Sequence, residues 1–184
     1  MVKVINEFLD GVTELQAPMF GDDRGVFSET WNAKSMSAVG LDLDFVQDNQ
    51  SLSVPTGTVR GLHLQLAPHA QGKLVRCIAG AIYDVAVDVR PGSATFGQHA
   101  GVRLDPETGN QLWVPPGFAH GFCTLEPNTV VAYKVTEFYA PEQDRSILWN
   151  DPEIGIEWPV ADGEAVLSDK DAAAPPLSEV DLGG

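Results

Sequence analysis

The chain has 184 residues, 43% hydrophobic and 20% charged, which suits one globular domain with a sizeable core. Its formal net charge of −15 argues against general nucleic-acid binding, which needs a basic face, while leaving an anionic small ligand open. The longest apolar runs, such as residues 79–87, are broken well short of a membrane span, and Met1-Val2-Lys3-Val4-Ile5-Asn6-Glu7-Phe8 lacks the apolar region of a signal peptide, so a cytoplasmic protein with no membrane partner is expected.

Residues 32–39 read as a short helix opened by Asn32 and stopped by Gly40. From about residue 45 to 138, short β-rich runs alternate with Gly, Pro, Asn and Asp clusters. The clearest strands are residues 74–78, 82–89 and 129–135. Turns are marked by Pro55-Thr56-Gly57, Pro91-Gly92-Ser93, Pro106-Glu107-Thr108-Gly109 and Pro115-Pro116-Gly117. Cys77 and Cys123 lie in apolar strand-like stretches and are expected as free buried thiols. The regular spacing predicts an all-β double-sheet jelly roll (a β-sandwich) with a few short peripheral helices. Residues 1–184 are expected to form one domain, with its core at about 45–138 and segment 139–184 packing on it. From Ala172 onward, Pro175-Pro176 and the Gly-Gly end predict an extended, partly loose tail.

Two spacings carry the chemistry. Gly57-x5-His63 is followed by Gly109-x5-Pro115-x-Gly117-x2-His120, the pattern of the two cupin motifs. Metal-binding cupins carry a second His where this chain has Gln65, and a Glu shortly after that is missing here. Two imidazoles and an amide make a poor site for Zn or Fe, which take three or four N, S or carboxylate ligands. A cupin-type pocket holding no metal is therefore expected, with His63 released for other work.

Seven segments in order resemble the dTDP-4-dehydrorhamnose 3,5-epimerases. They are Phe45-Val46-Gln47-Asp48-Asn49-Gln50-Ser51, Val59-Arg60-Gly61-Leu62-His63-Leu64-Gln65, Gln71-Gly72-Lys73-Leu74-Val75-Arg76, Asp84-Val85-Ala86-Val87-Asp88-Val89-Arg90, Pro115-Pro116-Gly117-Phe118-Ala119-His120-Gly121-Phe122, Trp149-Asn150-Asp151-Pro152 and Leu167-Ser168-Asp169-Lys170-Asp171. The resemblance runs from about residue 23 to 177. It implies a jelly-roll homodimer without cofactor that acts on dTDP-4-keto-6-deoxy-D-glucose and inverts C3′ and C5′. Such chemistry needs a base, an acid across the sugar ring and a group that stabilises an enolate.

The resemblance assigns the base to His63, an imidazole being a proton acceptor near neutral pH, and its carboxylate partner to Asp171. Tyr133 would be the acid, since a phenol keeps its proton at pH 7; Lys73 would stabilise charge on the C4′ oxygen. His120 would serve sugar binding. Arg24 and Arg60 would hold the pyrophosphate, whose oxygens suit a guanidinium. Phe27 and Glu29 would address the thymine, and Gln47 and Asn49 line the site. Tyr139 and Trp149 are aromatic candidates for the sugar pocket, with core packing as their default reading. Asp144 stands where many relatives carry Glu. The family completes part of the nucleotide site from the neighbouring subunit. Three other readings share the same residues: an epimerase acting only at C3′ or only at C5′, a metal-dependent cupin enzyme, and a nucleotide-sugar-binding cupin without turnover.

Overall fold

The computed structural model describes residues 1–161 and 163–183. In chain order the strands are β1 (Lys3–Phe8), β2 (Val12–Gln16), β3 (Met19–Asp22), β4 (Gly25–Ser28), β5 (Gln47–Ser53), β6 (Val59–Gln65), β7 (Lys73–Ala79), β8 (Ile82–Asp88), β9 (His99–Leu104), β10 (Asn110–Val114), β11 (Phe118–Thr124), β12 (Thr129–Val135) and β13 (Asp144–Ser146). Two short helices, α1 (Ala33–Ser37) and α2 (Asp169–Ala172), accompany them. Strands β5 to β12 form a jelly roll. One sheet runs β1-β2-β10-β7-β12-β5 and the other β13-β6-β11-β8-β9, while β3 and β4 form a separate hairpin.

Period-two alternation in these strands sorts side chains between the sandwich interior and its outer faces. Inside, Val75, Cys77 and Val131 of the first sheet pack against Ile82, Ala86, Phe118 and Phe122 of the second. Each buried Val, Ile or Phe among them contributes about 1.5–3 kcal/mol. Both outer faces are also covered in part. Trp31, Met36 and Phe45 lie over Leu15, Leu74 and Trp113 of the six-stranded sheet. Ile147, Ile154 and Leu177 lie over Leu62, Leu64, Val85 and Val87 of the five-stranded sheet.

Helix α1 forms where the sequence predicts it, because Asn32 accepts hydrogen bonds from the backbone N–H groups of Lys34 and Ser35 at 3.0 and 3.2 Å. Strands β1 to β4, by contrast, were not predicted. No residue of β1 is buried, so no apolar alternation marks it as a strand. The expectation of a loose tail is corrected: Ala174 and Leu177 are buried, and the Leu177 N–H donates to Asp151 Oδ2 at 2.6 Å. A staple of this kind ties the chain end to the sandwich.

A bulge in β6 places the site. His63 pairs with His120 and Arg60 with Phe122, so β6 spends three steps where β11 spends two. An extra residue in one strand of a ladder re-aims the side chains beyond it. Val59 and Leu62 consequently both join outer clusters, Val59 beside Cys123 and Leu62 beside Ala119. His63 and Gln65 turn inward. Gly61 is required here: its φ is +136°, and a Cβ would stand 2.5 Å from the Gly121 Cα.

Candidate active site

A cavity of about 350 Å³ opens between the two sheets, lined by Gln47, Asn49, His63, Gln65, Gln71, Lys73, Tyr133, Tyr139, Asp144 and Lys170, among others. Its walls come from different sheets. His63 stands on β6 in the five-stranded sheet, while Lys73 on β7 and Tyr133 on β12 stand in the six-stranded one. A planar ring bound between them would have a proton acceptor on one face and a donor on the other.

His63 Nε2 lies 2.5 Å from Asp171 Oδ1, across 108 positions of sequence. The Asp171 carboxyl is buried. Burial alone would raise its pKa, but hydrogen bonds from His63, Ser168 and the Gly61 backbone outweigh this and hold it below the usual carboxylate range. An ionised carboxylate only accepts hydrogen bonds, so a neutral His63 donates from Nε2 and keeps its other ring nitrogen free to take a proton. The segment that carries Asp171 is fixed at two further points. Ser168 caps α2 through the Asp171 N–H at 3.1 Å. Just before the helix, Val166 bridges Thr58, the residue that precedes β6.

Lys73 is buried, and its Nζ donates to the His63 carbonyl at 3.3 Å. Removal from water pushes its pKa down from 10.5 to about 8, with Asp144 and Asp84 pulling it back up and Lys170 pushing it further down. It remains charged at neutral pH and keeps unspent donors. Gly72 gives Lys73 its depth, since a Cβ there would run into the Trp113 ring and stand 3.1 Å from Pro116.

Burial raises the Tyr133 phenol above its ordinary value, with Arg60 acting in the opposite sense, so it is a proton donor at neutral pH. Arg60 itself is braced on β5, donating from Nε to Ser53 Oγ at 3.1 Å and from Nη2 to the Leu52 carbonyl at 3.3 Å. His120 is buried directly across the ladder from His63, with Nε2 at 2.8 Å from Asp84 Oδ1.

The cavity thus gathers Gln47, Asn49, His63, Lys73, Tyr133, Tyr139 and Asp144, with Asp171 behind His63 and Arg60 beside Tyr133. The other five residues singled out from the sequence do not line it, among them His120, which is buried against Asp84. Arg24 and Phe27 sit on the exposed β3–β4 hairpin, and Arg24 pairs with Asp22 at 2.5 Å. Glu29 accepts from Asn32 Nδ2 at 3.1 Å beside α1. Trp149 is 5% exposed and packs with Val59, Cys123 and Trp158 on the outer side of the five-stranded sheet, the packing that its default reading describes.

Sequence reasoning passed over Lys170, which lines the cavity and pairs with Asp144. Its place beside Asp171 in the Ser168-Asp169-Lys170-Asp171 segment was the available signal. Gln65 commits both amide hydrogens to the carbonyls of His69 and Phe138. Among the described residues, no three His, Cys, Asp or Glu side chains come together as metal ligands.

Comparison with known proteins identifies the family. A family model for dTDP-4-dehydrorhamnose 3,5-epimerase matches residues 7–179. The enzyme of that name from Sinorhizobium fredii is 56% identical over 161 residues, 88% of this chain and 82% of the relative. The crystal structure of one from Bacillus anthracis, with TDP and PPi bound, superposes with a TM-score of 0.93 at 49% identity, covering 96% of this chain and 99% of that one. An epimerase from Legionella pneumophila in complex with dTDP-4-keto-L-rhamnose also reaches 0.93, at 44% identity over 98% of this chain and 95% of that one.

Proposed function

The chain belongs to the dTDP-4-dehydrorhamnose 3,5-epimerase family, and we propose that it converts dTDP-4-keto-6-deoxy-D-glucose to dTDP-4-keto-L-rhamnose by inverting C3′ and C5′ through enolates. One observation carries the mechanism: a carboxylate-backed imidazole on one wall faces a protonated phenol and a buried ammonium on the other. Neutral His63 removes the proton from the carbon beside the C4′ ketone, and the electron pair moves onto the C4′ oxygen. Lys73 stabilises that oxyanion, and Asp171 stabilises the imidazolium. Tyr133 then protonates the carbon from the opposite face, with Arg60 close enough to ease the phenolate. Proton exchange with water returns His63 and Tyr133 to their starting states, and the same groups serve the second carbon after the ring shifts. No step calls on a metal or cofactor.

Gln47, Asn49, Tyr139, Asp144 and His120 would shape the sugar end of the site, with Arg60 at the pyrophosphate. We further propose a homodimer in which Arg24, Phe27 and Glu29 of one copy complete the nucleotide site of the other. Supporting this, Phe20, Val26 and Phe27 stand 60%, 63% and 69% exposed on a hairpin outside the cavity, an apolar display that calls for a covering surface. The function is tested by combining the protein with dTDP-4-keto-6-deoxy-D-glucose and a reductase that reduces the C4′ ketone. dTDP-L-rhamnose should accumulate with the protein and not with a folded His63→Ala variant. A product inverted at one carbon alone would replace this reading with the single-site epimerase.

A further inference from the structure

The connection between β12 and β13 brings Tyr139 to the cavity, and four backbone groups on its consecutive residues 137–140 are each held by a glutamine side chain. Gln71 Nε2 donates to the Glu137 carbonyl at 2.7 Å. Gln65 Nε2 donates to the Phe138 carbonyl at 3.1 Å. Gln47 Oε1 accepts from the Tyr139 N–H at 3.2 Å, and Gln65 Oε1 accepts from the Ala140 N–H at 2.9 Å. Phe138 and Tyr139 do little to hold it, being 60% and 59% exposed. Glu137 adds a local bond by accepting from the Phe138 N–H at 2.7 Å and lies 4.0 Å from His69, while the three amides tie the backbone of 137–140 to β5, β6 and the residues just before β7.

Gln65 is the centre of this clamp. It is 4% exposed, bonds at both ends of its amide, and gives its second hydrogen to the His69 carbonyl at 2.7 Å. With both hydrogens spent it has no donor left for a ligand. It also stands two residues beyond His63 on the same inward face of β6. We infer that Gln65 is a positioning residue for substrate recognition: it fixes the Tyr139 backbone against the strand that carries the base, so that the aromatic ring meets the nucleotide sugar at a set distance from His63. This rests on the assignment of Tyr139 to the substrate site. Without the clamp the segment would sample other positions, and apparent affinity would fall by the fraction of time the competent one is lost.

A double-mutant cycle tests it, with Gln65→Met, Tyr139→Ala and the double variant compared for kcat, KM, thermal melting and calorimetric binding of dTDP-D-glucose, which carries a hexose but no C4′ ketone and so is not turned over. Gln65→Met should weaken dTDP-D-glucose binding and raise KM about tenfold while kcat changes less than about twofold. In the Tyr139→Ala background the same substitution should change KM by less than about twofold. An equal effect in both backgrounds, or a loss confined to kcat, would overturn the inference. No effect of Tyr139→Ala on dTDP-D-glucose affinity would overturn it together with the Tyr139 assignment. Because this binding is read without turnover, failure of epimerisation itself would show separately. Should Gln65→Met not fold, Gln71→Leu, which removes only the bond to Glu137, enters the same cycle, and additivity there would likewise overturn the clamp.

Discussion

Replacing Lys73 by Met should stabilise the protein while disabling it. In the fold, burial holds the ammonium at a pKa of about 8 against 10.5 in water, so keeping it charged at pH 7 costs about 3 kcal/mol. Methionine fills a similar volume without a charge. Against that gain stands the lost hydrogen bond to the His63 carbonyl, about 1 kcal/mol. The net of about 2 kcal/mol corresponds to a melting temperature raised by about 4–8 °C in a domain of this size. The pH dependence has a defined sign. With the folded pKa below the unfolded one, the native state binds fewer protons between about pH 8 and 10.5, so wild-type stability rises across that window and the variant's advantage shrinks. Activity should move the other way, with kcat falling about 10²–10³-fold as the oxyanion loses its donor. Scanning calorimetry at pH 7 and 10, beside a turnover assay, reads both. A variant that melts lower than wild type at pH 7 would show that the buried ammonium is not held at a cost, and the reasoning would fail.

Other expectations follow from the same geometry. In wild type, kcat/KM should decline above pH about 8 as Lys73 loses its proton, and the Tyr133 limb should lie higher because burial raises that phenol; a flat profile to pH 10 would remove the Lys73 charge from the mechanism. Tyr133→Phe should lower kcat by roughly 10²–10⁴-fold with little change in KM, and a pure loss of affinity would count against Tyr133 as the acid. Equimolar mixing of inactive His63→Ala and Arg24→Ala subunits should restore about a quarter of wild-type activity, since half the random dimers are hybrids with one intact site; no recovery, with subunit exchange demonstrated, would place Arg24 in its own chain's site, and an active Arg24→Ala parent would place it in none.

The parts of the fold that could be read from sequence are those where one strand face is buried. The runs at 74–78, 82–89 and 129–135 correspond to β7, β8 and β12, whose apolar alternation or near-continuous burial follows from packing inside the sandwich. Strand β1 has no buried residue, so nothing in its side chains announces it. The bulge in β6 escaped for a related reason: whether Leu62 or His63 faces inward depends on register with β11, a property of two strands together. Trp149 shows the limit of motif reading, because a strongly marked segment can be matched for packing as readily as for binding. His63 and Asp171, far apart in the chain, were paired through resemblance alone, and the capped α2 supplies the physical reason they meet.

In the proposed mechanism one base and one acid, on opposite walls of this cavity, exchange protons at both carbons flanking the ketone. NMR in D2O of the protein with dTDP-4-keto-6-deoxy-D-glucose puts this to the test. Deuterium should enter C3′ and C5′ with wild type and neither carbon with His63→Ala. Exchange at both carbons that survives His63→Ala would contradict it.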